Sequence, residues 1–289
     1  SQRVLERMAQ AEQELALMAA SRAGRENLYP AMARYADPRA ARLLLAPSMV
    51  QRFYDQHFVP NNLVLVVSGP MDLKTARALV QEQTAGLLPG RSTEEIGVVS
   101  APPRLGLHRM TMRGTDSVVW VGARAPEPGT RDYHVAAVTM AILGNGMGSR
   151  LYRRLREELR LAYMLGGQVM SGRLWPYMYV ACTCDSVNVD RAREAIEGEV
   201  DRLSLERVSA AEIERAREVV ATQLLSIEMS NAATAEYLAG AAVLGPASEP
   251  VVQPRELAAQ IRQVHEEQVT DFAKEWWTRR VTVQLIGEK

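Results

Sequence analysis

The chain is poor in lysine, histidine and cysteine, and it has no long apolar run. Three of its 34 basic residues are lysine (Lys74, Lys274, Lys289), so the remainder are arginine, a bias that reads as codon usage in a GC-rich genome rather than as a binding signal. The bases are balanced by 34 acids. A chain without net charge gives no nucleic-acid footprint and no pull toward an anionic membrane surface. No stretch approaches the ~20 apolar residues that span a bilayer. Two cysteines, Cys182 and Cys184 in "YMYVACTCD", build neither a disulfide framework nor a zinc site. Two apart on a strand, they share a face and read as buried, reduced thiols. The four histidines (His57, His108, His134, His265) are scattered, and "HEEQV" lacks the second histidine that zinc needs one turn later. They read as solvated or capping side chains.

What is present is an ordinary globular composition, 47% apolar and 24% charged, which supports a large core. At 289 residues the chain exceeds a typical domain of ~100–200, so two lobes are expected. An internal repeat supports this. "MVQRFYDQHFVPNNLVLVVSG" (49–69) reads as an amphipathic helix, a Pro-Asn-Asn turn and a buried strand ending in Gly. "QVTDFAKEWWTRRVTVQLIG" (268–287) repeats that order, with Val50 matching Val269, Phe53 matching Phe272 and Gly69 matching Gly287. The offset places the start of the first copy about 150 residues before Ser1. The expected organisation is the tail of a first lobe (1–92), a Pro/Gly/Ser-rich linker (93–106) and a complete second lobe (107–289).

In the second lobe, "DSVVWVGARA" reads as a buried strand and 132–143 as a helix. "AYMLGGQVMSG" and "WPYMYVACTCD" read as a strand pair joined at Gly172. Helices are expected near 190–204, 209–229, 232–241 and 255–277, with a closing strand at 281–286. Ser209 and Glu212 form a capping box. Hairpin-paired strands with runs of helices between them predict an α+β, two-layer lobe with a mostly antiparallel sheet.

"LGNGMGS" has no Gly-Lys-Ser/Thr ending, so it reads as a tight turn into the next helix with Ser149 as N-cap, not as a phosphate loop. That helix, "GSRLYRRLREELRLAY" (148–163), carries Leu151, Leu155 and Leu159 as an apolar stripe. Arg153 and Arg154 have Glu157 and Glu158 four residues on as partners. Arg156 has only Tyr152 and Arg160 at that spacing, while Tyr163, two turns on, points the same way. Two readings of Arg156 stay open: a guanidinium fork waiting for a carboxylate or peptide carbonyl, or a solvated head whose stem covers Leu155.

The stretch "GNGMGSRLYRRLREELRLAY" resembles the second-half signature of the pitrilysin or insulinase-type zinc metallopeptidases, in the branch that includes mitochondrial processing peptidase. "FYDQHFVPNNLVLVVSGPMD" and "SAAEIERAREVVATQLL" resemble that family's half-repeat end and late helix. The resemblance implies two facing α+β lobes closing on an extended peptide. One lobe carries His-x-x-Glu-His and a later zinc Glu; the other carries an arginine and a tyrosine that hold the substrate backbone. Arg156 and Tyr163 match that pair, and Arg160 stands where the family has Gly. His-x-x-Glu-His is absent, and "RVLERM" puts Arg7, with Glu6 one residue off, where the later zinc Glu belongs. The expectation is a non-catalytic, zinc-less member with no metal of its own, paired with a zinc-bearing subunit or homologous lobe and binding a peptide substrate. Two alternatives stay open: a fragment of an active zinc endopeptidase with its motif upstream of Ser1, and a purely structural core-type subunit.

Overall fold

The computed structural model describes residues 16–32, 46–90, 101–113, 116–172, 174–245 and 250–288. Glu6 and Arg7 lie outside these residues, as does most of the expected linker. The centre of the molecule is a five-stranded sheet of order β1-β5-β2-β4-β3, with β1 Gly106–Arg113, β2 Ser117–Arg124, β3 Met164–Met170, β4 Tyr177–Cys184 and β5 Val281–Glu288. Only β1 and β5 run parallel; the other three pairings are antiparallel, so the expected α+β class with a mostly antiparallel sheet is found. β3 and β4 form the expected hairpin around Gly172, in a register that sets Met164 opposite Thr183.

Alternation along β2 sends side chains to two cores. Val119, Val121 and Ala123 face a helical layer, joined by the buried thiols of Cys182 and Cys184. That layer contains α4 Arg131–Leu143, α5 Val189–Leu205, α6 Ala210–Ile227, α8 Pro254–Ile261 and α9 Glu266–Trp276. Val118 and Trp120 face the other way, with Val281, Val283 and Leu285, and are sealed by α1 Ala16–Leu28. Gly24 of α1 lies so close to Trp120 that a Cβ there would sit 2.4 Å from the indole, and this closeness is what lets a short helix cap a tryptophan.

Three expectations are corrected. Residues 255–277 form two helices, α8 and α9, rather than one. The chain breaks at Arg262–His265, where Arg217 Nε donates to the Val264 carbonyl at 2.6 Å and the Gln268 side chain accepts the His265 N–H at 2.8 Å. Residues 63–68 are extended but are in no sheet, and Leu63, Leu65 and Val67 stand in solvent, so the expected buried strand is not formed. A strand becomes regular only when neighbours take up its N–H and C=O groups, and none of the described residues does so. Residues 47–88 otherwise form helices α2 Pro47–His57 and α3 Leu73–Thr84, the latter capped by Asp72, whose carboxylate accepts from the Thr75 N–H at 2.8 Å. The remaining described helix is α7 Asn231–Leu244.

The third correction concerns 148–163. The helix does start after Ser149, whose Oγ accepts the Tyr152 N–H at 3.3 Å, and Leu151 and Leu155 are buried as expected. It then widens into a π-helix over Tyr152–Glu158 and ends there, so Arg156 and Tyr163 do not share a helix face. The Leu159 N–H reaches the Arg154 carbonyl, five residues back, and the Leu161 N–H reaches Leu155. Such widening is often a functional feature of helices. The turn that stops it is Arg160, at φ 53°, a left-handed conformation that costs an L residue roughly 1 kcal/mol and that glycine adopts freely.

Candidate functional site

The helix end folds back on itself, and that brings Arg156 to Tyr163 by a different route from the one expected. Arg156 Nη1 donates to the Ala162 carbonyl at 2.6 Å, so the guanidinium lies beside the peptide bond that leads into Tyr163. Tyr163 immediately precedes β3 and is 58% exposed, which leaves its ring open to a ligand. Its phenol donates to Asp185 Oδ2 at 2.6 Å. That hydrogen bond to an anionic acceptor, with smaller contributions from burial and nearby negative charge, pushes the Tyr163 pKa up, so the phenol keeps its proton at neutral pH.

Two residues of this neighbourhood were not singled out from the sequence. Asp185 follows β4 and comes near Tyr163 through the hairpin register, in which Met164 lies opposite Thr183, a pairing that no local signal carries. Glu212 forms the expected capping box with Ser209. It also binds Arg150, at 2.8 Å to Nε and 3.2 Å to Nη2, and Arg153 at 3.4 Å. Arg153 therefore turns to Glu212 instead of the expected Glu157, because a half-buried carboxylate attracts a cation more strongly than a solvated one. The expected Arg154–Glu158 pair does form, at 2.7 Å. Burial works against ionisation of Glu212, but the hydrogen bonds and charge of Arg150, with the donors of Ser209, outweigh it and hold its carboxyl at about 2. This ion pair ties the start of the π-containing helix to α6.

The remaining candidates lie apart. His57 ends α2, His108 on β1 reaches the Arg104 carbonyl, His134 begins α4 and His265 precedes α9. Among the described residues no three His, Cys, Asp or Glu side chains converge, so the donor set present does not fit a zinc ion. The glycine-rich 144–148 segment is a tight turn between α4 and the next helix, with Gly146 at φ 82°.

The chain is a five-stranded, mostly antiparallel sheet backed by helices, and among its described residues no group of His, Cys, Asp and Glu side chains could hold a metal ion. Residues 45–220 match the model of the peptidase M16 inactive domain, and the chain belongs to that family. It is 28% identical over 125 residues to an uncharacterized zinc protease of Mycobacterium tuberculosis, an alignment that covers 42% of this chain and 28% of that protein. The chain thus spans less than a third of the curated relatives it matches. Among solved structures it is similar to a peptidase M16 inactive domain from Pseudomonas fluorescens, with TM-score 0.84 and 16% identity over 99% of this chain and 70% of that one. It is also similar to a chain in complex III2 from Candida albicans, with TM-score 0.78 and 19% identity over 98% of this chain and 70% of that one. No helix among the described residues is long and apolar enough to cross a membrane.

Proposed function

We propose that this chain is a non-catalytic peptidase lobe that pairs with a zinc-bearing lobe or subunit and holds an extended peptide through Arg156 and Tyr163. The observation that supports the reading is that the guanidinium of Arg156 is held on the Ala162 carbonyl, at the peptide bond leading into the exposed Tyr163, although the helix carrying Arg156 ends at Glu158. Arg156 uses one N–H on the Ala162 carbonyl and has further donors in its fork, so it binds a substrate carbonyl without giving up its own anchor. Tyr163 has a single proton, currently on Asp185, and serves the peptide by redirecting it. Together they orient the backbone and place positive potential beside the carbonyl that reacts on the partner lobe. This lobe's residues bind and position; the cleaving chemistry belongs to the partner.

A second reading, that of a structural subunit, draws on the same contacts, since each polar head already has a partner within the chain. The two readings separate on one experiment. Arg156→Ala with Tyr163→Phe is compared with the parent in a mixture with a zinc-bearing peptidase subunit encoded beside it, using fluorogenic peptide hydrolysis and a measured association constant. The peptide-binding reading expects turnover to fall about a hundredfold at unchanged association. Equal turnover would refute it and favour the structural subunit.

A further inference from the structure

The stripe of α7 that should seat it on a neighbouring element faces a cavity. Tyr237, Gly240, Ala241 and Leu244 fall at the i, i+3, i+4, i+7 spacing of a core-facing helix, yet no residue of α7 is buried. These four line a cavity of about 510 Å³, closed on its other sides by Pro128 ahead of α4, Tyr133 in its first turn, Ser171 of the β3–β4 hairpin, and Val252 and Leu257 around the start of α8. A space of this size suits a small organic molecule. Gly240 helps keep it open. Glycine inside a helix is less favourable than alanine, and among the described residues a Cβ at 240 would meet nothing beyond its own helix within 4 Å. Packing therefore does not demand glycine there; alanine would fit and strengthen the helix, and what glycine adds is room.

The lining decides what the cavity takes. The Tyr133 phenol and the Ser171 hydroxyl share a hydrogen bond, and Tyr237 Oη donates to the Val252 carbonyl at 3.3 Å. Burial pushes the pKa of both phenols up, so both rings stay neutral at neutral pH. Glu236 is the one carboxylate on the lining, and among the described residues no lysine or arginine lines it. Aromatic faces carry the negative part of the ring quadrupole, so two tyrosines and a carboxylate set negative potential against an apolar wall. We propose that this cavity binds a small organic cation, an ammonium group on an aromatic or branched aliphatic body, with the body against Leu244, Val252 and Leu257 and the ammonium toward Glu236. An organic anion is repelled by Glu236, and a neutral apolar molecule gains nothing from it. The site is distinct from Arg156 and Tyr163. Tyr163 precedes β3 and Ser171 follows it, so the 7 residues of that strand, roughly 23 Å, separate the two. The proposal does not depend on the peptide-binding reading.

Ligand-observed NMR titration of the 289-residue chain tests this, with phenethylammonium and 3-phenylpropionate as probes of similar shape and opposite charge. Phenethylammonium should bind at least about tenfold more tightly than 3-phenylpropionate. Gly240→Leu, which fills the cavity, should weaken phenethylammonium by at least about tenfold, while Gly240→Ala folds at least as well as the parent. Glu236→Gln, at an exposed position, should bring the two probes within about twofold of each other. The tripeptide Phe-Gly-Gly separates two sources of the same chemistry: binding as tight as that of phenethylammonium assigns the cavity to peptide amino termini, and much weaker binding assigns it to free amines. Absence of phenethylammonium binding, equal affinity for the two charged probes in the parent, or an affinity unchanged in both Gly240→Leu and Glu236→Gln would overturn the proposal. Circular dichroism checks the fold of each variant, and if Gly240→Leu does not fold, Glu236→Gln decides alone.

Discussion

The unit ending at Gly69 and the unit ending at Gly287 share helix length, turn and apolar spacing, yet only the second is built into a sheet and a core. The difference separates two kinds of structural information. Helix and 3₁₀ turn form in both copies because their hydrogen bonds close within a few residues. The strand is completed only where β1 and β2 lie on either side of it. Local sequence sets the helix; sheet and burial need partners distant in sequence.

Substitution at matched positions is the strongest way to break this comparison. Trp277→Ala should cost about 3–5 kcal/mol in urea unfolding, because it removes a fully buried ring from the main core. Phe58→Ala, its counterpart, should shift the midpoint of the same chain by less than about 0.5 kcal/mol. A comparable loss at both positions would mean that the first unit is already packed.

Acid sharpens the comparison at a different pair of sites. Glu212, held at about 2 against an ordinary value of 4.5, has a folded-state pKa below its unfolded one. Its contribution is therefore complete above about pH 4.5 and is lost as pH falls toward 2, with a size of about 2–3 kcal/mol. The carboxylate that caps α3, Asp72, also has a lowered pKa, chiefly from its hydrogen bonds to Thr75, but it is solvated and ties nothing to the core. Unfolding monitored from pH 5 to 2 should lose stability mainly in the sheet and helical layer around α6, and Glu212→Gln should flatten that part of the curve. A profile unchanged in Glu212→Gln would mean that the Arg150 pair contributes little.

The smallest expected effect is a gain. Arg160 sits at φ 53°, where glycine carries no Cβ penalty, so Arg160→Gly should stabilise the chain by about 1 kcal/mol in thermal or urea unfolding. A loss of stability would show that the arginine side chain makes a compensating contact.

These results also mark what could be read in the sequence. The hairpin at Gly172, the capping box at Ser209, the buried cysteine pair and the α+β class follow from alternation, turn residues and periodicity, all local signals. The closing of α8 before α9 was missed because 255–277 keeps an unbroken helical period; the break is set by Arg217, which reaches Val264 from a neighbouring helix. The π-widening at Tyr152–Glu158 was hidden for a similar reason, since the leucine spacing suits an α-helix throughout. Its one legible sign was Arg160 standing where the resembling family has glycine. The expected shared helix face of Arg156 and Tyr163 is not formed; Arg156 instead reaches the Ala162 carbonyl through a fold-back of the chain. Asp185 required the strand register, which no single segment carries.

The central claim is that Arg156 and Tyr163 grip a peptide, and affinity tests it more directly than turnover. An extended fluorescent peptide would be titrated into the pair assembled with a metal-stripped partner, so that nothing is cleaved. With the parent chain it should bind at least about tenfold more tightly than with Arg156→Ala plus Tyr163→Phe, a difference of about 1.4 kcal/mol. Equal dissociation constants, with the pair intact in both samples, would contradict the account.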